Sequence, residues 1–103
     1  MDIKTLEDAM NAFVKSKGWY EPDSKRPQTP RNLATSLVLE ASEILEHFQW
    51  GDEIKNKDDF AGELADVMLY LLQLASISGV DLGEAVMTKL QVNYGRTWDN
   101  SSE

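Results

Sequence analysis

The sequence predicts an all-α fold, a four-helix bundle-like protomer that assembles into a homo-oligomer. Four segments carry apolar residues at helical spacing and are each followed by a glycine, and no run alternates in the way a strand would. Residues 67–77 are apolar on nearly every side, apart from Gln73 and Ser76. A helix of that kind must be buried all round, and three partner helices from 103 residues can barely cover it. A homodimer or homotetramer is therefore expected.

The first two helices are separated by an irregular loop. The first helix is predicted from apolar residues that recur between Ile3 and Val14, with Gly18 as its C-cap. Residues 18–31 hold all three prolines and show no period, which predicts a loop. The second helix is predicted over residues 32–50, with Gly51 ending it.

The last two helices have recognisable start and stop signals. Asp58 is the predicted N-cap of a helix over residues 58–78, which Gly79 ends. Asp81 and Glu84 have the spacing of a capping box, so a fourth helix is expected to follow them and to end at Gly95.

Charge and composition exclude several classes of protein. The net charge is −8, whereas a surface that binds a nucleic-acid polymer needs many cations to neutralise phosphates. The chain has no cysteine, which excludes thiolate zinc sites and fits a reducing compartment. No secretory signal is recognised at the start, and the apolar run after Asp66 is too short to span a membrane. A cytoplasmic protein without membrane contact is expected.

Paired carboxylates on two helices are the main chemical signal. Glu40 and Glu43 share one face of the second helix, and Glu63 and Asp66 share one face of the third, because residues three apart point the same way. If the two helices pack antiparallel, both pairs meet at one depth. A third acid, Glu46, follows on the second helix. It would orient or deprotonate an attacking water, or form a surface salt bridge, and both interpretations stay open.

Such a cluster needs a counter-charge, since carboxylates a few ångströms apart repel one another in a partly dry site. Oxygen ligands alone select hard cations, which predicts Mg²⁺, with Mn²⁺ as a substitute. A single pair of this kind is commonly just two charged residues on a solvent-exposed helix face. Two pairs on adjacent, otherwise apolar helices favour a metal site. A di-iron site is disfavoured because neither pair contains a histidine, His47 standing four residues after Glu43.

These motifs together resemble the MazG-like all-α nucleoside triphosphate pyrophosphohydrolases, above all their dCTP pyrophosphatase branch. The stretches that carry the resemblance are PRNLATSLVLEASEILEHFQW and ELADVMLYLLQLASISGVDLGEAVMTKLQVNYGR. They cover, with the residues just before them, roughly residues 19–96. The resemblance implies the all-α NTP pyrophosphatase fold. The chain length predicts a single domain, residues 1–97, and the composition of residues 98–103 predicts a polar tail.

The resemblance also implies a reaction and a set of site residues. A (d)NTP, with dCTP or a modified nucleotide among the candidates, would be hydrolysed to the monophosphate and pyrophosphate in house-cleaning of the nucleotide pool. The implied catalytic set consists of the four paired carboxylates as Mg²⁺ ligands, with Glu46 beside them. Some substrate-binding residues are implied by the resemblance, and others are expected from their position at a helix start or in the pocket wall. Together they are Trp19, Arg31, Asn32, Trp50, Tyr70, Lys89, Asn93 and Arg96.

Purely structural interpretations of the substrate residues stay open. Lys89 and Arg96 would equally serve as cations facing the end of the fourth helix, and the tryptophans as core residues. The loop after Trp19 is longer than in the family, so cytosine specificity does not carry over with the chemistry. The alternative function is a non-catalytic helical module that binds a nucleotide or a protein.

Overall fold

The computed structural model describes residues 1–97, which fold as four α-helices joined by turns and loops. The helices are α1 (Ile3–Ser16), α2 (Pro30–Glu46), α3 (Lys57–Ile77) and α4 (Leu82–Tyr94). No strand occurs between residues 1 and 97, so the all-α prediction is confirmed over that range. The predicted tail, residues 98–103, lies outside the described part of the chain.

Helix α2 begins two residues earlier and ends four residues earlier than predicted. Thr29 is the N-cap, where its hydroxyl accepts the backbone N–H of Asn32 at 3.1 Å, and Pro30 follows at the first helical position. Proline fits there because its missing N–H would have no intrahelical partner. After Glu46 the backbone N–H groups of residues 47–49 bond three residues back, so the helix tightens into a turn.

The boundaries of the other helices are set by caps. The N-cap of α3 is Asn56 and not Asp58, because the Asn56 side chain accepts the N–H of Asp59 at 3.0 Å. Asp81 caps α4 as predicted and accepts the N–H of Glu84 at 3.0 Å. Gly18 and Gly79 follow α1 and α3 with φ of 73° and 70°, the left-handed conformation that terminates a helix and favours glycine.

Helices α2 and α3 pack antiparallel, as the convergence of the carboxylates requires. Gln28, just before α2, bonds to Gln73 in the last part of α3. His47, just after α2, contacts Glu63 in the first part of α3. The two contacts pair the beginning of one helix with the end of the other, and α2 therefore runs against α3 along its length.

The hydrophobic core is small for a chain of this length. Met10 and Val14 of α1 pack on Leu72 of α3, and Leu82 at the start of α4 joins them. The radius of gyration is 16.7 Å, against about 13 Å for a compact domain of about 100 residues. Large apolar side chains remain exposed on α2 and α4, among them Leu45 (72%) and Met87 (59%).

Helix α3 is long and apolar enough to cross a membrane by length and composition alone. That is weak evidence for a span, because core helices of soluble proteins have the same composition. Its first half carries Glu63 and Asp66, which interact with carboxylates of α2. Its second half covers Met10 and Val14 of α1 through Leu72.

Candidate functional site

The four paired carboxylates converge between α2 and α3. Glu40 is partly buried, and its pKa is raised above the ordinary value, first by loss of hydration and then by Glu43, which lies within hydrogen-bonding reach. Repulsion by Asp66 and Glu63 across the helix interface adds to the shift. The other three carboxylates therefore lie close enough to Glu40 for their charge to act on it, as the antiparallel packing predicted.

This donor set suits a hard divalent cation. All four groups offer carboxylate oxygens, the ligands that Mg²⁺ prefers, and a cation would offset the repulsion that, after burial, contributes to the raised pKa of Glu40. Between residues 1 and 97, no three acidic or histidine side chains already surround one point at ligand distance.

His47 contacts one of the carboxylates. Its Nε2 lies 2.5 Å from Glu63 Oε2, and the two side chains are 13% and 27% exposed. The imidazole packs edge-on against Phe60, with ring centroids 5.3 Å apart, and Phe48 contacts the same ring at 5.9 Å. The turn after Glu46 is what aims His47 at α3, so the early end of α2 has a direct consequence for the site.

A cavity of about 700 Å³ adjoins the carboxylates through Asp66. It is bounded by α1, the loop before α2, the first turns of α2 and the middle of α3. Its walls include the predicted substrate residues Trp19, Asn32 and Tyr70. Its volume and its aromatic lining suit a small organic ligand that reaches the carboxylates at one end.

The cations of this cavity come from the loop between α1 and α2. Lys25 and Arg26 line it, and the Arg26 guanidinium lies 5.7 Å from the centre of the Trp19 ring, a cation–π contact. Trp19 itself meets Phe13 edge-on at 5.8 Å. The loop therefore brings positive charge to a cavity whose other end is acidic.

Several predicted site residues lie elsewhere in the single chain. Trp50 is 85% exposed and does not line the cavity, because the turn after α2 packs Phe48 against Phe60 and leaves Trp50 in solvent. Lys89 lies on α4 in a shallow depression with Asp81 and Glu84. The remaining members of this group line neither the cavity nor the carboxylate cluster: Arg31, Asn93, Arg96 and Glu46. Their predicted roles stay predictions.

The structure adds residues that sequence reasoning did not assign to the site. His47 was considered in the sequence only as a di-iron ligand and rejected, and its one other signal was its position after the acidic residues of the second helix. Lys25, Arg26 and Gln28 lie in the loop, where no periodicity indicates which side chains turn inward. Gln73 did have a signal, since it interrupts an apolar segment.

Three comparisons relate the chain to known proteins. Residues 35–102 match the MazG-like family, a range that includes all four paired carboxylates but not the loop before α2. Mouse (Mus musculus) dCTP pyrophosphatase 1 is 35% identical over 101 residues, 89% of this chain and 58% of that protein. Its human counterpart (Homo sapiens) has the same identity and coverage, so the chain spans little more than half the length of these relatives. A pyrophosphatase from Archaeoglobus fulgidus DSM 4304 superimposes with a TM-score of 0.75 at 34% identity, covering 87% of this chain and 86% of that one.

Proposed function

The chain belongs to the MazG-like family, and from that premise we propose that it is a Mg²⁺-dependent nucleoside triphosphate pyrophosphohydrolase. It would hydrolyse a (d)NTP between the α- and β-phosphates, giving the monophosphate and pyrophosphate. The observation that carries the proposal is the approach of Glu43, Glu63 and Asp66 to Glu40, beside a cavity with aromatic walls that Asp66 lines. The similar proteins include a cyanophage S-2L dATP/dGTP diphosphohydrolase, 47% identical over 36 residues, 35% of this chain and 34% of that protein. A deoxynucleoside triphosphate is therefore the substrate class to test first.

Residues at the two ends of the site have different proposed roles, metal binding at one end and nucleotide binding at the other. Glu40, Glu43, Glu63 and Asp66 would hold Mg²⁺, which when bound polarises and neutralises the phosphates. His47, whose Nε2 contacts Glu63, would hold that side chain in place for the ion. Trp19 and Tyr70 supply flat apolar surface for a base, and Lys25 and Arg26 offset negative charge at the cavity. Water is the nucleophile in this proposal, so the lack of cysteine is no obstacle.

A homo-oligomer is part of the proposal. The accessible surface of the single chain is 8114 Å², roughly 2,000 Å² more than expected for a compact monomer of this mass. An excess of that size is what a stable interface between copies would bury. Such an assembly is also how Lys89, Asn93 and Arg96 would meet a nucleotide, because none of them lines the cavity of one chain. We further propose a cytoplasmic location, which the absence of cysteine fits.

The test is to incubate the purified protein with Mg²⁺ and a panel of dNTPs and NTPs and to separate the products. Pyrophosphate plus a monophosphate would support the proposal, and orthophosphate plus a diphosphate would contradict it. Glu63→Gln removes one carboxylate at nearly constant size and should lower kcat at least about a hundredfold. Glu53→Gln is the matched control, because Glu53 is exposed in the loop between α2 and α3. Nucleotide binding without any product would favour the non-catalytic module.

A further inference from the structure

The positive charge of this acidic chain is concentrated at the end of α1 and in the loop that follows it. Residues 15–31 contain five of the ten lysines and arginines but two of the eighteen acids, so they carry a charge of +3 and the rest of the chain −11. The five cations are all exposed: Lys15, Lys17, Lys25, Arg26 and Arg31. A basic region therefore stands on an otherwise acidic protein.

Two of these cations form a continuous row with two aromatic rings, here called the cation–aromatic row. Lys17 Nζ lies 5.7 Å from the centre of the Phe13 ring, and Phe13 meets Trp19 edge-on at 5.8 Å. The Arg26 guanidinium then lies 5.7 Å from the centre of the Trp19 ring. Within residues 1–97 neither cation forms an ion pair with a carboxylate. The rings therefore hold both charges in place without cancelling them.

The cation–aromatic row connects solvent with the wall of the large cavity. Phe13, Trp19 and Arg26 line that cavity. Lys17 does not line it, but its ammonium group lies against Phe13, which is 53% exposed. The acids of the same stretch, Glu21 and Asp23, are exposed in the loop and do not line the cavity either. A ligand that enters along the row therefore meets positive charge before it reaches the acidic end of the cavity.

An acidic protein repels a polyphosphate at long range, so local charge decides where the ligand can approach. Electrostatic interactions in solution are screened over about 10 Å at 0.1 M salt, so a basic region acts on its surroundings without being cancelled by the distant acids. Patches of this kind raise association rates by about 10- to 1,000-fold. A nucleic-acid polymer would extend beyond residues 15–31 and meet the acidic surface, whereas a nucleoside triphosphate is small enough to stay within the basic region.

Resting on the proposed function, we propose that the cation–aromatic row is a capture surface for the phosphate chain of a nucleoside triphosphate. Lys17 and Arg26 attract the phosphates from solution and guide them to the cavity that Trp19 and Arg26 line. Lys17 acts on the approach of the ligand and not on bond cleavage, because it lies outside the cavity. Its contribution therefore appears in the rate of association and weakens as salt is added.

The experiment measures association rates by stopped-flow tryptophan fluorescence, with Mg²⁺ and the full chain. The probes are the α,β-methylene analogues of the four dNTPs, which cannot be cleaved at that bond, so the result does not depend on turnover. Lys17→Glu reverses one charge and should slow association of a binding analogue about tenfold at about 0.01 M salt, but less than about twofold at about 0.5 M. Lys17→Arg keeps the charge and the contact with Phe13, so its rate should stay within about twofold of that of the natural chain.

Lys4→Glu is the matched control, because it changes the net charge of the chain by the same amount at another place. Lys4 is 74% exposed and lies thirteen residues before Lys17, about 20 Å along the helix. Its reversal should slow association no more than about threefold at about 0.01 M salt.

Three results would overturn the proposal: equal effects of Lys17→Glu and Lys4→Glu, a loss in Lys17→Glu that salt does not reduce, or no binding of any analogue. Binding of a single-stranded oligonucleotide that Lys17→Glu abolishes would also overturn it, since the surface would then serve a polymer. The expected rates without hydrolysis of any dNTP or NTP would instead overturn the proposed function alone.

Discussion

Replacing His47 by leucine should weaken Mg²⁺ binding while leaving the helices folded. Leucine keeps apolar bulk against Phe60 but cannot donate to Glu63 Oε2, which lies 2.5 Å from Nε2 of His47. A carboxylate has two oxygens, so the histidine can hold Oε2 and leave Oε1 free for an ion. Without that bond the Glu63 side chain is free to rotate until an ion binds. The entropy lost when the ion fixes it then makes the free energy of Mg²⁺ binding less favourable.

The magnitude follows from the type and exposure of the contact. A hydrogen bond to a charged group contributes about 1.5–3 kcal/mol. The two side chains are 13% and 27% exposed, so the lower half of that range applies, about 1.5–2 kcal/mol. Since about 1.4 kcal/mol is a factor of ten in a dissociation constant, Mg²⁺ should bind about 10- to 30-fold more weakly. Loss of a partner behind a metal ligand has effects of this size in other proteins, about 10- to 100-fold.

The assay is calorimetric titration with Mg²⁺ of the natural chain, His47→Leu and His47→Gln, each checked for helicity by circular dichroism. The glutamine variant still offers an N–H at a similar reach, so it should recover affinity to within about threefold of the natural chain. Unchanged Mg²⁺ affinity in His47→Leu would refute the idea that His47 orients Glu63. Tighter binding would show instead that the histidine competes with the ion.

Three further predictions concern the cluster, the core and the assembly. The pKa of Glu40 is raised in the folded protein, so above that pKa the charged carboxylate destabilises the metal-free fold. This loss of stability vanishes below the ordinary pKa of the group, near 4.5, because the carboxyl is then protonated in both the folded and unfolded states. Glu40→Gln should therefore raise the melting temperature in EDTA at pH 8 but not at pH 4, and equal shifts at both values would contradict the electrostatic reason. Leu72→Ala, at a side chain only 1% exposed, should lower the free energy of unfolding by about 2–5 kcal/mol in urea titration, and a loss below about 1 kcal/mol would place the core elsewhere. Val38 and Leu45 are 68% and 72% exposed in one chain, and in the proposed oligomer they would lie at an interface. The double variant Val38→Asp, Leu45→Asp should therefore have a lower mass by light scattering after size exclusion. An unchanged mass would show that the interface lies on another face.

The local features of this fold could be predicted because they depend on residues close in sequence. Asp81 was identified as a cap from Glu84 three residues later, and the structure shows that bond. The boundaries that were wrong have an equally local cause. Both Asn56 and Asp58 could begin α3, and both Thr29 and Asn32 could begin α2. Sequence spacing does not decide which of the two side chains accepts the hydrogen bond from the first turn of the helix.

The sequence by itself determined the helices and the pairing of acids three residues apart, since helical periodicity places such pairs on one face without knowledge of any neighbour. Antiparallel packing then brought the two pairs together around Glu40, as expected. Only the tertiary structure decided what surrounds them. The contact of His47 with Glu63 and the amide pair of Gln28 and Gln73 join residues 16 and 45 positions apart, through a turn and a loop without periodicity. No pattern along the chain encodes such contacts, because they depend on where α3 lies when the loop closes over it.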